Sequence, residues 1–116
     1  MGFGRRYSCY VLKCKDNKYY TGSTETRKIQ ERFQKHLAGT GSKWCRQFPP
    51  IEVVKTVDNL LSSEAFRQEN TECVRIMREN NDIQICRGGD FLFPLGSKWW
   101  VYRLPKDMAL TFASVS

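Results

Sequence analysis

Two aromatic-rich segments separated by three turn-forming residues place the tightest limit on how this chain can fold. Tyr7–Cys14 is dense in aromatic, β-branched and other apolar residues; Lys15-Asp16-Asn17 is turn chemistry; residues 18–22 resume the pattern. That arrangement reads as a β-hairpin. A three-residue loop pairs Cys14 with Lys18 and Leu12 with Tyr20. Tyr10 and Tyr20 then share one face of the hairpin as diagonal neighbours, within reach of each other.

Beyond the hairpin the period changes. Ile29, Phe33 and Leu37 recur every four residues, and Gly39 follows as a stop, which predicts a helix from about Thr26 to Leu37. A polar loop, Gly39-Thr40-Gly41-Ser42-Lys43-Trp44, runs on to Pro49-Pro50. Residues 51–57 alternate well enough for a third strand. Ser62 or Ser63 is placed to cap a second helix reaching about Glu79. The later chain is less regular: Arg87-Gly88-Gly89 forms a tight loop, and Phe91-Leu92-Phe93 with residues 99–104 suits a short apolar hairpin. Gly-Ser-Lys-Trp occurs at 41–44 and again at 96–99, but the flanks differ entirely and no internal repeat is implied.

The element order β-β-α-β-α plus a tail fits one α+β domain. A chain of 116 residues with 41% hydrophobic and 27% charged residues has room for one core. No apolar run approaches the roughly 18 residues that span a bilayer, and no apolar stretch follows the first residues, so the expected setting is soluble and intracellular, cytoplasm or nucleus, with no membrane partner. The five cysteines (Cys9, Cys14, Cys45, Cys73, Cys86) are odd in number and contain no close CxxC pair. They read as free thiols in a reducing compartment, on a spacing poorly suited to zinc. A net charge of +7 favours polyanions as partners, nucleic acid ahead of an anionic membrane surface.

Three features carry chemistry. Arg32 and His36 lie four apart on the first helix, so a fixed cation and a titratable imidazole share one face. That pair suits a phosphate, although a solvated helix edge is the commoner outcome. Glu69 falls within the apolar face of the second helix, with Ala65 and Phe66 one turn before it, Cys73 one turn after, and Ile76 and Met77 beyond. A carboxylate there is costly unless it is paired or binds metal. A metal ligand and a structural ion pair have about even claim. Glu64 and Glu72 sit off that stripe and read as surface charges. The third feature is the cluster of Tyr7, Tyr10, Tyr19 and Tyr20, which by itself is ordinary strand packing.

Together these segments resemble the GIY-YIG nuclease superfamily, over about residues 7–91. Tyr10 stands where the family has the Tyr of "GIY", and Tyr20-Thr21-Gly22 stands for "YIG". Arg32 and His36 resemble its R-x-x-x-H element. The Gly39–Trp44 loop is similar to that of small stand-alone members of the UvrC-like and Slx-like branch. Ala65-Phe66-Arg67-Gln68-Glu69 resembles the helix bearing the family's metal-binding Glu, and Arg87-Gly88-Gly89-Asp90-Phe91 a late R-G-G-x-(F/Y) segment. Each motif is weak alone, but five in the family's order are fairly specific. Ser8 and Cys9 replace the Gly and Ile of "GIY", Thr21 replaces the Ile of "YIG", and Ser23 stands where many relatives have Lys. Arg27 is a rival for the role of Arg32, and a late Asn of some branches has no counterpart.

The resemblance implies a three-stranded antiparallel sheet flanked by helices, with residues 92–116 as an aromatic extension packed on the core. It implies a Mg²⁺- or Mn²⁺-dependent endonuclease cutting DNA, one active site per chain, monomeric or weakly dimeric. Glu69 would hold the metal and Arg32 would offset transition-state charge. Tyr10 or His36 would act as general base and Tyr20 would orient the attacking water. Gly22, Lys43, Trp44 and Arg87 would contact substrate. With no room for an added specificity domain, weak sequence specificity and selection by substrate shape are expected. The competing functions are an inactive nucleic-acid-binding module of the same fold and a basic interaction protein in which Glu69 is only an ion pair.

Overall fold

The computed structural model describes residues 4–113. The hairpin forms as expected. β1 (Tyr7–Cys14) and β2 (Lys18–Glu25) pair antiparallel with Cys14 opposite Lys18, Leu12 opposite Tyr20 and Tyr10 opposite Gly22. The turn is a single 3₁₀ turn, Lys15–Asn17, in which Asp16 and Asn17 both take the left-handed conformation that these side chains tolerate.

α1 (Ile29–Leu37) follows a 3₁₀ turn over Thr26–Lys28. The short helix α2 (Lys43–Gln47) starts at Ser42, whose Oγ accepts the Cys45 N–H at 3.1 Å, an N-cap. β3 (Pro50–Leu60) pairs antiparallel with the outer side of β1. α3 (Ser62–Asn80) is the long helix; Leu61 takes the capping position in place of Ser62 or Ser63, with its N–H donated to Glu64 at 2.8 Å. A short strand, β4 (Cys86–Gly88), and the helix α4 (Lys106–Ala113) complete the order.

The sheet is four-stranded and mixed, in the order β3-β1-β2-β4, where the sequence pattern implied three antiparallel strands. The addition is β4, which runs parallel to β2 and pairs only with Tyr19, Tyr20 and Thr21. A three-residue strand has no readable period, and its partner lies more than sixty residues back along the chain.

Because strand side chains alternate, β1 and β2 feed two cores. Tyr10, Leu12, Cys14 and Tyr20 face α1 and α2, packing with Trp44, Cys45, Phe48 and Phe33. On the other face Val11 meets Cys73, Ile76 and Met77 of α3, with Ile83, Ile85 and the tail residues Trp100, Val101, Leu104 and Met108. The tail therefore packs, but as a 3₁₀ turn (Val101–Arg103) and α4, not as the expected apolar hairpin. Trp99 and Tyr102 stay exposed while Trp100 is fully buried.

Two further expectations are corrected. Leu37, read as part of the buried stripe of α1, is 63% exposed, and His36 takes the buried position beside Phe33. Glu72, read as a surface charge, is 2% exposed. It accepts from Lys55 at 2.7 Å, Arg75 at 2.6 Å and Gln68 at 3.0 Å. Burial would raise its pKa, but those cations hold the carboxyl below its ordinary value. All five cysteines are buried thiols. No described helix is long and apolar enough to cross a membrane.

Candidate active site

Tyr10, Tyr20, Arg32 and His36 come together on the α1 face of the hairpin. Tyr10 Oη and His36 Nε2 are hydrogen-bonded at 2.9 Å, and Arg32 Nε donates to the same Tyr10 oxygen at 3.4 Å. Arg32 is a donor only, so the Tyr10 oxygen accepts from it, while the Tyr10–His36 bond runs in the direction that the His36 tautomer sets. The other His36 nitrogen, Nδ1, is buried and has no hydrogen-bond partner among the described residues. The His36 ring lies 5.3 Å from that of Tyr20 and 5.7 Å from that of Tyr10, and Phe33 meets Tyr10 edge-on at 5.3 Å. Arg27 is not in the cluster: it is exposed and donates to Glu25 at 2.7 Å.

Two glycines make room for these rings. A Cβ on Gly22 would stand 2.6 Å from Cζ and Oη of Tyr10, the residue opposite it in the ladder. A Cβ on Gly41 would stand 2.3 Å from His36 Nδ1. Both contacts are closer than real carbon atoms tolerate, so each glycine is required by the ring it faces.

Glu69 reaches the site from α3, on the opposite side of the sheet. Its helix is tied to β2 by Thr21 Oγ1, which donates to the Glu69 carbonyl at 3.0 Å, and Ser23 Oγ donates to Glu69 Oε2 at 3.2 Å. No cation hydrogen-bonds this carboxylate among the described residues. Burial pushes the Glu69 carboxyl up to about 7; Ser23 and the more distant charge of Arg32 oppose the rise, and Asp90 adds to it. The link between the two halves is at Ser23, and β4 stops opposite Thr21, so Gly22 and Ser23 have no β4 partner on that edge. The groups there can bind an anion, hold a proton on either Tyr10 or His36, and offer one carboxylate to a cation.

Residues 6–83 match the family described as the GIY-YIG catalytic domain. The chain belongs to the GIY-YIG family of nucleases. A UPF0213 protein of Halalkalibacterium halodurans is 32% identical over 82 residues, covering 71% of this chain and 85% of that protein. A UPF0213 protein of Halobacterium salinarum is 40% identical over 60 residues, 52% of this chain and 75% of its own length. Another, from Xanthomonas campestris, is 42% identical over 45 residues, 39% of this chain and 42% of that protein. No solved structure gives a significant match.

The remaining expected residues of this GIY-YIG chain, Lys43, Trp44 and Arg87, share a cleft with Tyr20. Lys43 is exposed and lines that cleft, of about 720 Å³, with Tyr20, Ser42, Trp44 and Phe93. Trp44 is buried, and its Nε1 donates to the Tyr19 carbonyl at 2.8 Å. Arg87 is 1% exposed. Its guanidinium donates to the carbonyls of Ile83 (2.7 Å), Cys86 (2.8 Å) and Phe93 (2.7 Å) and to Gln84 Oε1 (2.8 Å), between the rings of Trp44 and Trp100. Arg87 is thus held by hydrogen bonds to the chain around it, borders the cleft that Tyr20 lines, and makes no hydrogen bond to Tyr10, His36 or Glu69 among the described residues. Sequence reasoning missed Thr21, Ser23 and Gly41 as supports of the site. The glycine loop carried a signal for Gly41; Ser23 could have been found only by asking which β2 residue shares a face with α3.

Proposed function

We propose that this chain is a divalent-metal-dependent endonuclease that hydrolyses DNA phosphodiester bonds, one strand per encounter, with weak sequence specificity. The observation that carries the reading is the buried Glu69 carboxylate, which has no cation partner among the described residues, is bonded to β2 through Ser23, and feels the charge of Arg32 from the hydrogen-bonded Tyr10–His36–Arg32 group. Burying a carboxylate without a counter-charge is costly, and a bound cation removes the cost. The donor set fits Mg²⁺ or Mn²⁺, which often take one protein carboxylate and complete their shell with water and substrate phosphate oxygens. When bound, such an ion would polarise the scissile phosphate and stabilise the leaving oxygen.

The chain's own groups supply the rest. Burial pushes Tyr10 far above the ordinary phenol value, with Arg32 opposing, and pushes Tyr20 up to about 12. Tyr10 therefore starts as a neutral phenol. As water attacks, Tyr10 gives its proton to His36 Nε2 and takes one from the water at Oη, while Arg32 stabilises the charge that passes through that oxygen. This relay gives Tyr10 and His36 successive parts in one proton transfer. Tyr20, packed on His36, borders the space where the water stands, and the free Nη donors of Arg32 face the phosphate charge. The Gly39–Trp44 loop supports placement in the UvrC-like and Slx-like branch.

Labelled single-stranded, duplex, flap and branched DNAs test the proposal, with Mg²⁺, Mn²⁺ or EDTA, comparing wild type with Glu69→Gln. Cleavage that needs metal and is lost in the variant, with binding retained, is expected. Binding without cleavage by folded wild-type protein would reduce the chain to a nucleic-acid-binding module. Cleavage confined to one long asymmetric sequence would sink the specificity claim.

A further inference from the structure

Next to the Tyr10–Glu69 cluster lies a cleft of about 280 Å³ between β2 and α1, lined by Ser23, Thr24, Lys28, Glu31, Arg32 and Lys35. Lys28, Arg32 and Lys35 follow the spacing that aligns side chains on one helix face. From Lys28 to Lys35 the helix advances about 10 Å at about 1.5 Å per residue. Measured along a duplex axis, that is roughly three base-pair steps at about 3.4 Å each. The cleft also joins directly to the chemistry: Ser23 touches Glu69, and Arg32 touches Tyr10 through Nε. Three cations face one carboxylate there, Glu31, whose nearest oxygen is 4.0 Å from Lys35 Nζ in an exposed pair that a phosphate can displace.

We propose that this cleft is a subsite for the backbone phosphates flanking the scissile one, with Lys28 and Lys35 holding the strand by charge and Glu31 weakening its grip. The contact reads no base, so it adds affinity without sequence preference. Glu31 sets an upper limit on that affinity and so favours release of the cut strand. The assignment rests on the nuclease reading of the neighbouring cluster.

The test is binding of labelled DNA by fluorescence anisotropy, in a Glu69→Gln background that leaves the DNA uncut, across a range of salt concentrations. Lys28→Ala and Lys35→Ala are each expected to weaken binding and to reduce the slope of log affinity against log salt by about 0.7 to 0.9. Glu31→Gln is expected to tighten binding. Lys106→Ala makes the same change in net charge on the exposed start of α4 and is expected to leave the slope unchanged. The subsite is overturned if neither lysine changes the slope, if Lys106→Ala changes it equally, or if Glu31→Gln weakens binding. Because binding is read without turnover, the two readings fail separately. Slope changes from Lys28 and Lys35 in a protein that never cleaves would keep the subsite and remove the nuclease; cleavage with unchanged slopes would do the reverse.

Discussion

Ser23 Oγ donates to Glu69 Oε2 across 3.2 Å, joining the strand of the "YIG" tyrosine to the helix of the candidate metal ligand. That bond crosses from one half of the site to the other, and it is the only hydrogen bond to the Glu69 carboxylate among the described residues.

The Glu69 carboxyl sits at about 7 in the fold against an ordinary value of 4.5. Its protonated form is thus favoured by folding, so its contribution to stability is complete below pH 4.5 and is lost as pH rises through 7. The cost of ionisation in the metal-free protein approaches about 3 kcal/mol at alkaline pH. Glu69→Gln is expected to stabilise the protein at pH 8 in EDTA and to make little difference at pH 4, as measured by urea unfolding. Equal effects at both pH values would show that the carboxyl titrates normally. The carboxylate's place on the stripe of α3 was legible in the sequence, because helical period alone set it among Ala65, Cys73 and Ile76. Its hydrogen-bond donor was not, since Ser23 comes 46 residues earlier and meets it only through the sheet.

Tyr10→Phe removes the hydroxyl that His36 and Arg32 share. Cleavage is expected to fall by about 10² to 10⁴ with DNA affinity kept, as expected for loss of a positioned proton carrier. Single-turnover kinetics with binding measured alongside would check it. Loss of less than about tenfold would place the proton relay elsewhere.

Gly22→Ala drives a methyl into the Tyr10 ring, with 2.6 Å to both Cζ and Oη. Displacing that ring is expected to cost about 1–3 kcal/mol of stability and most of the activity. Thermal unfolding and cleavage assays on the same sample would show it. An active, fully stable variant would mean that the ring has room to move.

Arg87→Lys is expected to lower stability by more than about 2 kcal/mol, because lysine cannot serve the several buried acceptors of the guanidinium. DNA affinity of the folded fraction should be unchanged. A stable variant with weakened binding would instead make Arg87 a substrate contact.

Local features were readable and long-range ones were not. The hairpin register from Cys14–Lys18 to Tyr10–Gly22 followed from a three-residue turn, and the Arg32/His36 pairing followed from helical spacing. Which side of α1 turns inward did not follow. Leu37 is the more apolar residue, yet His36 is buried because it finds Tyr10 Oη on the sheet. Glu72 was misplaced for a similar reason: its partner Lys55 belongs to β3. The burial of Arg87 was equally hidden, because it depends on the carbonyls of Ile83 and Phe93, in a stretch whose path had no periodic signal.

At its end, β4 turns away from β2. Continued in register, it would have set Gly89 against Gly22 and Asp90 against Ser23. Instead the chain bends at Gly88 and Gly89, both at positive φ, and Asn70 receives Asp90, accepting its N–H at 2.8 Å and donating to its carboxylate at 3.1 Å. The β2 edge beside Gly22 and Ser23 is thus left bare by a strand that stops. Where backbone pairing ends is set by two glycines and an asparagine that belong to neither half of the cluster.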